Sequence, residues 1–84
     1  MVFLALSRES ALEAIALAKA GGHHVWVGAD AMSQAEHSAQ VEKGVKLTRF
    51  SFALAGGDAI DDAVATIREH HPSETIWVQR SEEA

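Results

Sequence analysis

Cysteine is absent from this 84-residue sequence, and its absence excludes disulfides, thiolate chemistry and cysteine-ligated zinc. Long hydrophobic runs are absent as well. The apolar start from Met1 to Leu6 is interrupted by Arg8 and Glu9 too soon for a secretion signal. The uncharged run from Phe50 to Gly57 is far shorter than the roughly 20 residues that cross a bilayer. These absences predict a cytoplasmic protein with no membrane partner.

Basic residues are scarce. Seven lysines and arginines stand against twelve aspartates and glutamates, which gives a net charge of −5 when the five histidines are neutral. Protonation of all the histidines would bring the charge back to about zero. An acidic chain whose few cations are spread along its length is poorly suited to a phosphate backbone, so the sequence predicts no nucleic-acid partner. A basic protein partner is more compatible with this charge.

The chain is rich enough in apolar residues to fold, and long enough for one core only. Its hydrophobic content of 48% with 23% charged residues is typical of a globular protein, and the sequence predicts a single domain over residues 1–84. Apolar β-branched runs alternate with helical patterns, and an acidic tail over residues 81–84 is expected to fray. The predicted strands span about residues 2–6, 24–27, 46–54 and 75–79, and the predicted helices about residues 8–20, 33–43 and 58–70.

Helix signals support this division. Ser7 is a good N-cap, and Ser33 with Glu36 has the spacing of a capping box. Pro72 stops the last helix. The resulting order, βαβαβαβ, predicts an α/β fold with a mostly parallel four-stranded sheet and helices packed on it.

The two ends of the chain resemble each other. Each runs from a strand through a helix and a histidine pair into an aliphatic-Trp-Val strand, in FLALSRESALEAIALAKAGGHHVWV and in FALAGGDAIDDAVATIREHHPSETIWV. Two such βαβ units joined by an irregular segment would instead give a ferredoxin-like α+β sandwich. Residues 28–44 therefore decide the fold, because a helix there predicts the parallel sheet and a loop predicts the sandwich.

The carboxyl ends of the strands are the first candidate site, because ligands of open α/β sheets bind there. Two glycines open directly onto a helix N-terminus, where free N–H groups can hold an anion. The pattern lacks G-x-G-x-x-G and the Walker lysine, and the serine at this edge has no nucleophile elbow, so neither a cofactor nor a catalytic residue is predicted. The same residues also suit turns and helix caps. The candidates for binding a small anionic ligand are Ser7, Asp30, Gly56, Gly57 and Asp58.

Two histidine pairs precede strands, so in a parallel sheet both pairs lie at its amino-terminal edge. The pairs are His23-His24 and His70-His71, and four imidazoles gathered there could bind zinc, nickel or copper. Adjacent residues on a strand point to opposite faces, however, and cationic side chains are favourable at helix C-termini without any metal. The sequence therefore predicts no metal site, with these four residues as the nearest candidates.

The tryptophans are the second candidate site. Trp26 and Trp77 both lie on predicted strands, where core packing is the ordinary role. In so small a domain a strand tryptophan can also remain partly uncovered and mark a partner surface. The sequence thus predicts a small non-enzymatic regulatory or protein–protein interaction domain, with a protein partner or a second copy docking on Trp26 and Trp77. A small-ligand or anion-binding domain, with or without catalysis, that uses the carboxyl edge of the sheet is the alternative.

Overall fold

The computed structural model describes residues 1–79, so the predicted tail lies outside the described chain. Seven elements alternate along it. The strands are β1 (Val2–Ala5), β2 (His24–Val27), β3 (Leu47–Arg49) and β4 (Ile76–Gln79), and the helices are α1 (Arg8–Gly21), α2 (Gln34–Glu42) and α3 (Gly57–His70). Apart from β3, each element begins and ends within one residue of its prediction.

All four strands run parallel in one sheet of order β3-β2-β1-β4. Val2 pairs with His24 on one side and with Ile76 on the other, so β1 lies in the interior of the sheet. The predicted α/β fold is confirmed. The ferredoxin-like alternative is wrong, because residues 28–44 contain α2 and lead the chain into a strand parallel to β2.

The helices lie on both faces of this sheet. The chain moves across the sheet in one direction from β1 to β2 and from β2 to β3, and it moves in the opposite direction from β3 to β4. Because crossovers between parallel strands are right-handed, α1 and α2 lie on one face of the sheet and α3 lies on the other. Each face has its own core. The α1 side buries Phe3, Ala5, Ala11, Ala14, Ile15, Ala18, Val25, Val27, Ala31, Met32, Val45 and Leu47. The α3 side buries Val2, Leu4, Trp26, Phe50, Leu54, Ala63 and Ile67.

Serine side chains start the first two helices. The Ser10 amide donates to Ser7 Oγ while the Ser7 amide donates to Ser10 Oγ, which is a capping box built from two serines. The predicted box of Ser33 and Glu36 is present in α2. In the described chain no helix is both long and apolar enough to traverse a bilayer.

The third strand is much shorter than predicted. Residues 46–54 were predicted as strand, but β3 ends at Arg49 and the chain then leaves the sheet. The Ala29 amide donates to the Phe52 carbonyl at 3.0 Å, and Leu54 folds into the α3-side core. The alternating apolar residues that predicted a strand therefore anchor a loop, because Phe50 and Leu54 are buried in the α3-side core although neither lies in a strand.

The resemblance between the chain ends does not extend to equivalent positions in space. The segment that would begin the second βαβ unit is this loop rather than a strand. Trp26 is aligned with Leu4 and lies on the α3 face, whereas Trp77 is aligned with Phe3 and lies on the α1 face. The two tryptophans consequently have different environments.

Candidate functional site

Two of the candidate residues at the carboxyl edge, Ser7 and Gly56, cap helices. The Ser7 hydroxyl takes part in the α1 capping box, and Gly56, not Asp58, is the N-cap of α3. Asp30 and Asp58 are exposed. In the described chain no hydrogen bond or ion pair joins these residues, or Gly57, to one another, so a ligand site at this edge remains a prediction.

Three of the four paired histidines lie on the α3 side of the sheet, and only His23 lies on the α1 side. His23 packs edge-on against Phe3 on the α1 side, with ring centroids 5.8 Å apart. His24 lies on the α3 side, where its ring is 4.7 Å from that of His71. Within residues 1–79 no group of three or more histidines, aspartates and glutamates is arranged to hold a metal ion.

A short polar chain fixes the position of His71. Its Nδ1 lies 2.6 Å from Glu74 Oε2, and the N-terminal ammonium of Met1 donates to Glu74 Oε1 at 3.0 Å. These two contacts lower the pKa of Glu74, the bond from the N-terminus having the larger effect. The start of β1 is thereby tied to the connection between α3 and β4.

Two imidazoles and one phenyl ring converge on Trp26. The Trp26 ring lies 5.5 Å from His70, 6.2 Å from His71 and 5.2 Å from Phe50. Only 6% of Trp26 is exposed, and its buried indole Nε1 has no hydrogen-bond partner among the described residues. A buried N–H without an acceptor is costly, so this position is a functional candidate.

These rings border a groove of about 550 Å³ on the α3 face. It lies where the C-terminal end of α3 faces β2 and β3, beside the loop that carries Phe50. Burial first, and then the charges of His71 and Lys46, lower the pKa of His24 at the groove wall. We call this the Trp26 groove; its lining residues are His24, Trp26, Thr48, Arg49, Phe50, Thr66, His70 and His71.

A second cavity of about 190 Å³ collects every lysine of the chain. Lys19, Lys43 and Lys46 surround it together with His23, where α1 and α2 end. Cations are favourable at helix C-termini, so the helix dipoles account for this grouping. Sequence reasoning missed it, although Lys19 and Lys43 each lie just ahead of a helix-ending glycine.

The last strand forms an uncharged edge. β4 is at the end of the sheet order, so its outer backbone groups have no strand partner in the described chain. Ile76 and Val78 pack toward α3, whereas Trp77 points to the α1 side and is 55% exposed. We call β4 together with the Trp77 side chain the β4 edge.

The two predicted interaction tryptophans thus have different surroundings: Trp77 is exposed at an edge, and Trp26 is buried beneath a groove. The sequence places both on strands, and the strand order shows that Trp77 lies on an edge strand and Trp26 on an interior one. No protein-family model matches the chain, and neither a curated protein nor a solved structure shows significant similarity to it.

Proposed function

We propose that the protein is a small, cytoplasmic, non-enzymatic interaction domain that forms a homodimer through the β4 edge. The observation that carries this proposal is the exposure of Trp77 on an edge strand without a charged residue. Natural sheets protect edges with lysine, proline or a bulge, and an edge without these devices is suited to pairing.

The opposite edge is much less suited to pairing. β3 has three residues, and one of them is Arg49, whose Nε and Nη2 donate to the carbonyls of Met32 and Ala29. α2 packs beside β3, and the chain leaves the sheet directly after it. β4 is therefore the strand that offers free backbone groups to a second copy.

A two-fold axis perpendicular to the sheet satisfies both copies at once. It pairs β4 antiparallel with β4 of the second copy and joins the two sheets into one. The faces of the sheets then match, so the two Trp77 side chains lie on the same side, where directly opposed residues are within about 5.5 Å of each other. Such an interface is self-complementary, as closed dimers require.

Trp77 supplies most of the apolar area. Covering its exposed part removes about 100 Å² from water in each copy, which contributes about 2.5 kcal/mol per copy at ~25 cal/mol/Å². Trp77→Ala should therefore raise the dimer Kd by at least about 100-fold. Trp77→Lys should abolish the dimer, because it also places like charges opposite each other.

Light scattering after size exclusion, across a range of concentrations, measures this directly. The wild-type chain should approach twice its 9.0 kDa mass, and Trp77→Lys should stay at the monomer mass. Val41→Lys is the matched control, because Val41 is 45% exposed on α2, which packs on the opposite edge strand.

Two results would refute the proposal. One is a wild-type chain that remains a monomer at millimolar concentration. The other is an equal loss of association in Val41→Lys and Trp77→Lys, because that would indicate general apolar adhesion. Far-ultraviolet circular dichroism of both variants checks that they are folded.

A further inference from the structure

We propose that the Trp26 groove binds a small planar aromatic carboxylate. This site lies on the α3 face and is separate from the β4 edge. Three features determine the ligand class: the shape of the groove, the charges around it, and its unused hydrogen-bonding groups.

The shape fits a flat ring system. About 550 Å³ lies within the range of pockets that hold small organic ligands. Trp26 and Phe50 form an aromatic floor with ring centroids 5.2 Å apart, and the histidine rings stand at its border. Aromatic rings stack on such surfaces with their centroids about 4.5–7 Å apart, so a planar ligand can extend this cluster.

The charge around the groove favours an anion, although the protein as a whole is acidic. Its lining contains three histidines and Arg49 and no carboxylate. Lys46 and the N-terminal ammonium are close enough to act on His24. Glu74 is the acidic group that acts on His24, and its carboxylate is already engaged by His71 and the N-terminus.

The groove also holds hydrogen-bonding groups that the described chain does not use. The Thr48 hydroxyl has no partner there, whereas Thr66 Oγ1 donates to the Asp62 carbonyl. The indole Nε1 of Trp26 is a second unused donor and is fully buried. A carboxylate oxygen reaches this buried atom only when a neighbouring side chain moves, and we infer that it is the exposed His70, whose ring lies 5.5 Å from that of Trp26.

Binding should strengthen as the pH falls. Burial lowers the pKa of His24, and a carboxylate bound beside this imidazole favours its protonated form, so binding is coupled to the uptake of a proton while the aromatic carboxylate stays ionised. The groups that face His24 are His71, Lys46, Glu74 and the N-terminus. The His24 imidazolium adds a charge-assisted bond or a Coulombic attraction to the bound carboxylate.

The experiment uses the ¹⁵N-labelled Trp77→Phe variant, which leaves Trp26 as the single indole N–H signal. 2-Naphthoate is titrated at about pH 6 and about pH 8, and the Trp26 indole signal is followed. 2-Naphthamide tests the ring without the charge, and acetate tests the charge without the ring. We expect the indole signal to shift with 2-naphthoate alone, and with higher affinity at the lower pH.

A neighbouring pair of histidines supplies the matched control. His24→Gln should weaken 2-naphthoate binding about tenfold, the loss of one charge-assisted bond. His23→Gln should leave it unchanged, because His23 lies on the opposite face against Phe3. Thr66→Phe, which fills the groove and keeps all of its histidines, should abolish binding while the amide spectrum stays dispersed.

Several outcomes would overturn the inference. The Trp26 indole signal could stay unmoved at ~10 mM 2-naphthoate, which would mean that 2-naphthoate binds more weakly than a ligand of any specific pocket. 2-Naphthamide could bind as tightly as 2-naphthoate, which would remove the role of charge. His23→Gln could weaken binding as much as His24→Gln, which would place the ligand elsewhere. None of these results depends on whether β4 pairs.

Discussion

Gly28→Ala should destabilise the fold because the loop after β3 packs directly on this glycine. A Cβ atom at position 28 would lie 2.9 Å from Leu54 Cγ and 3.1 Å from the Leu54 amide nitrogen. It would also lie 2.9 Å from Asp30 Oδ1, but that exposed carboxylate can turn away. Leu54 is 5% exposed and belongs to the α3-side core, so its backbone has little room to move.

The size of the effect follows from these distances. Forcing one carbon atom into a packed site costs about 1–3 kcal/mol. For a domain of this size each kcal/mol moves the Tm by about 4–8 °C. Gly28→Ala should therefore lower the Tm by roughly 4 °C at least, and by about 20 °C if the loop cannot shift.

Gly57→Ala is the matched control. A Cβ at position 57 would meet nothing within 4 Å, and the residue opens α3, where alanine is the better helix former. This variant should raise the free energy of unfolding by about 0.4–1 kcal/mol. Urea and thermal melts of both variants, followed by circular dichroism, show whether each substitution lowers or raises the free energy of unfolding. If Gly28→Ala were as stable as the wild type, the packing of Leu54 on Gly28 would be wrong.

Two further predictions concern the core and one surface ion pair. Ile67→Ala removes a fully buried side chain beneath the sheet and should cost about 2–5 kcal/mol in urea unfolding, whereas truncating the exposed Arg68 should change little. Arg8 Nη1 donates to Glu36 Oε1 at 2.6 Å, and this bond, with that from the Ser33 amide, lowers the pKa of Glu36 to about 2 from an ordinary 4.5. A lowered carboxylate pKa contributes stability above the unfolded-state pKa that is lost as the pH falls from 4.5 toward 2, so Arg8→Ala should flatten the decline of urea-unfolding stability across that window. Arg68→Ala is the control. If the pH dependence of stability were the same in Arg8→Ala as in the wild type, Arg8 would not be the group that lowers the pKa of Glu36.

The sequence predicts the fold well where local signals and burial agree. Ser33 with Glu36, and Ser7 before α1, mark helix starts that the structure reproduces. The strand prediction over residues 46–54 is too long, because a loop that buries Phe50 and Leu54 has the same alternation of apolar and polar residues as a strand with one buried face. Periodicity records which side chains are buried, and it does not record what covers them.

The candidate sites were harder to predict, because they depend on the order of the strands. Trp26 and Trp77 have similar sequence contexts, but Trp26 is buried and Trp77 is exposed, since β2 lies inside the sheet and β4 lies at its end. The Trp26 groove combines residues from β2, β3, α3 and the segments next to them. No local pattern reports that the C-terminal end of α3 lies beside β2 and β3 on that face of the sheet.

The interior position of β1 also governs how the chain assembles. β1 can pair with β2 as soon as the first helix has formed, but its other edge must wait for Ile76 to pair with Val2. Closing so long a loop is entropically expensive and slows folding relative to local contacts. We therefore expect β4 to dock late, after the folding transition state. Changes in β4 should then accelerate unfolding far more than they slow folding. A ribosome-bound chain that ends before residue 76 would expose the apolar side of β1, which makes the last strand the element that protects the first.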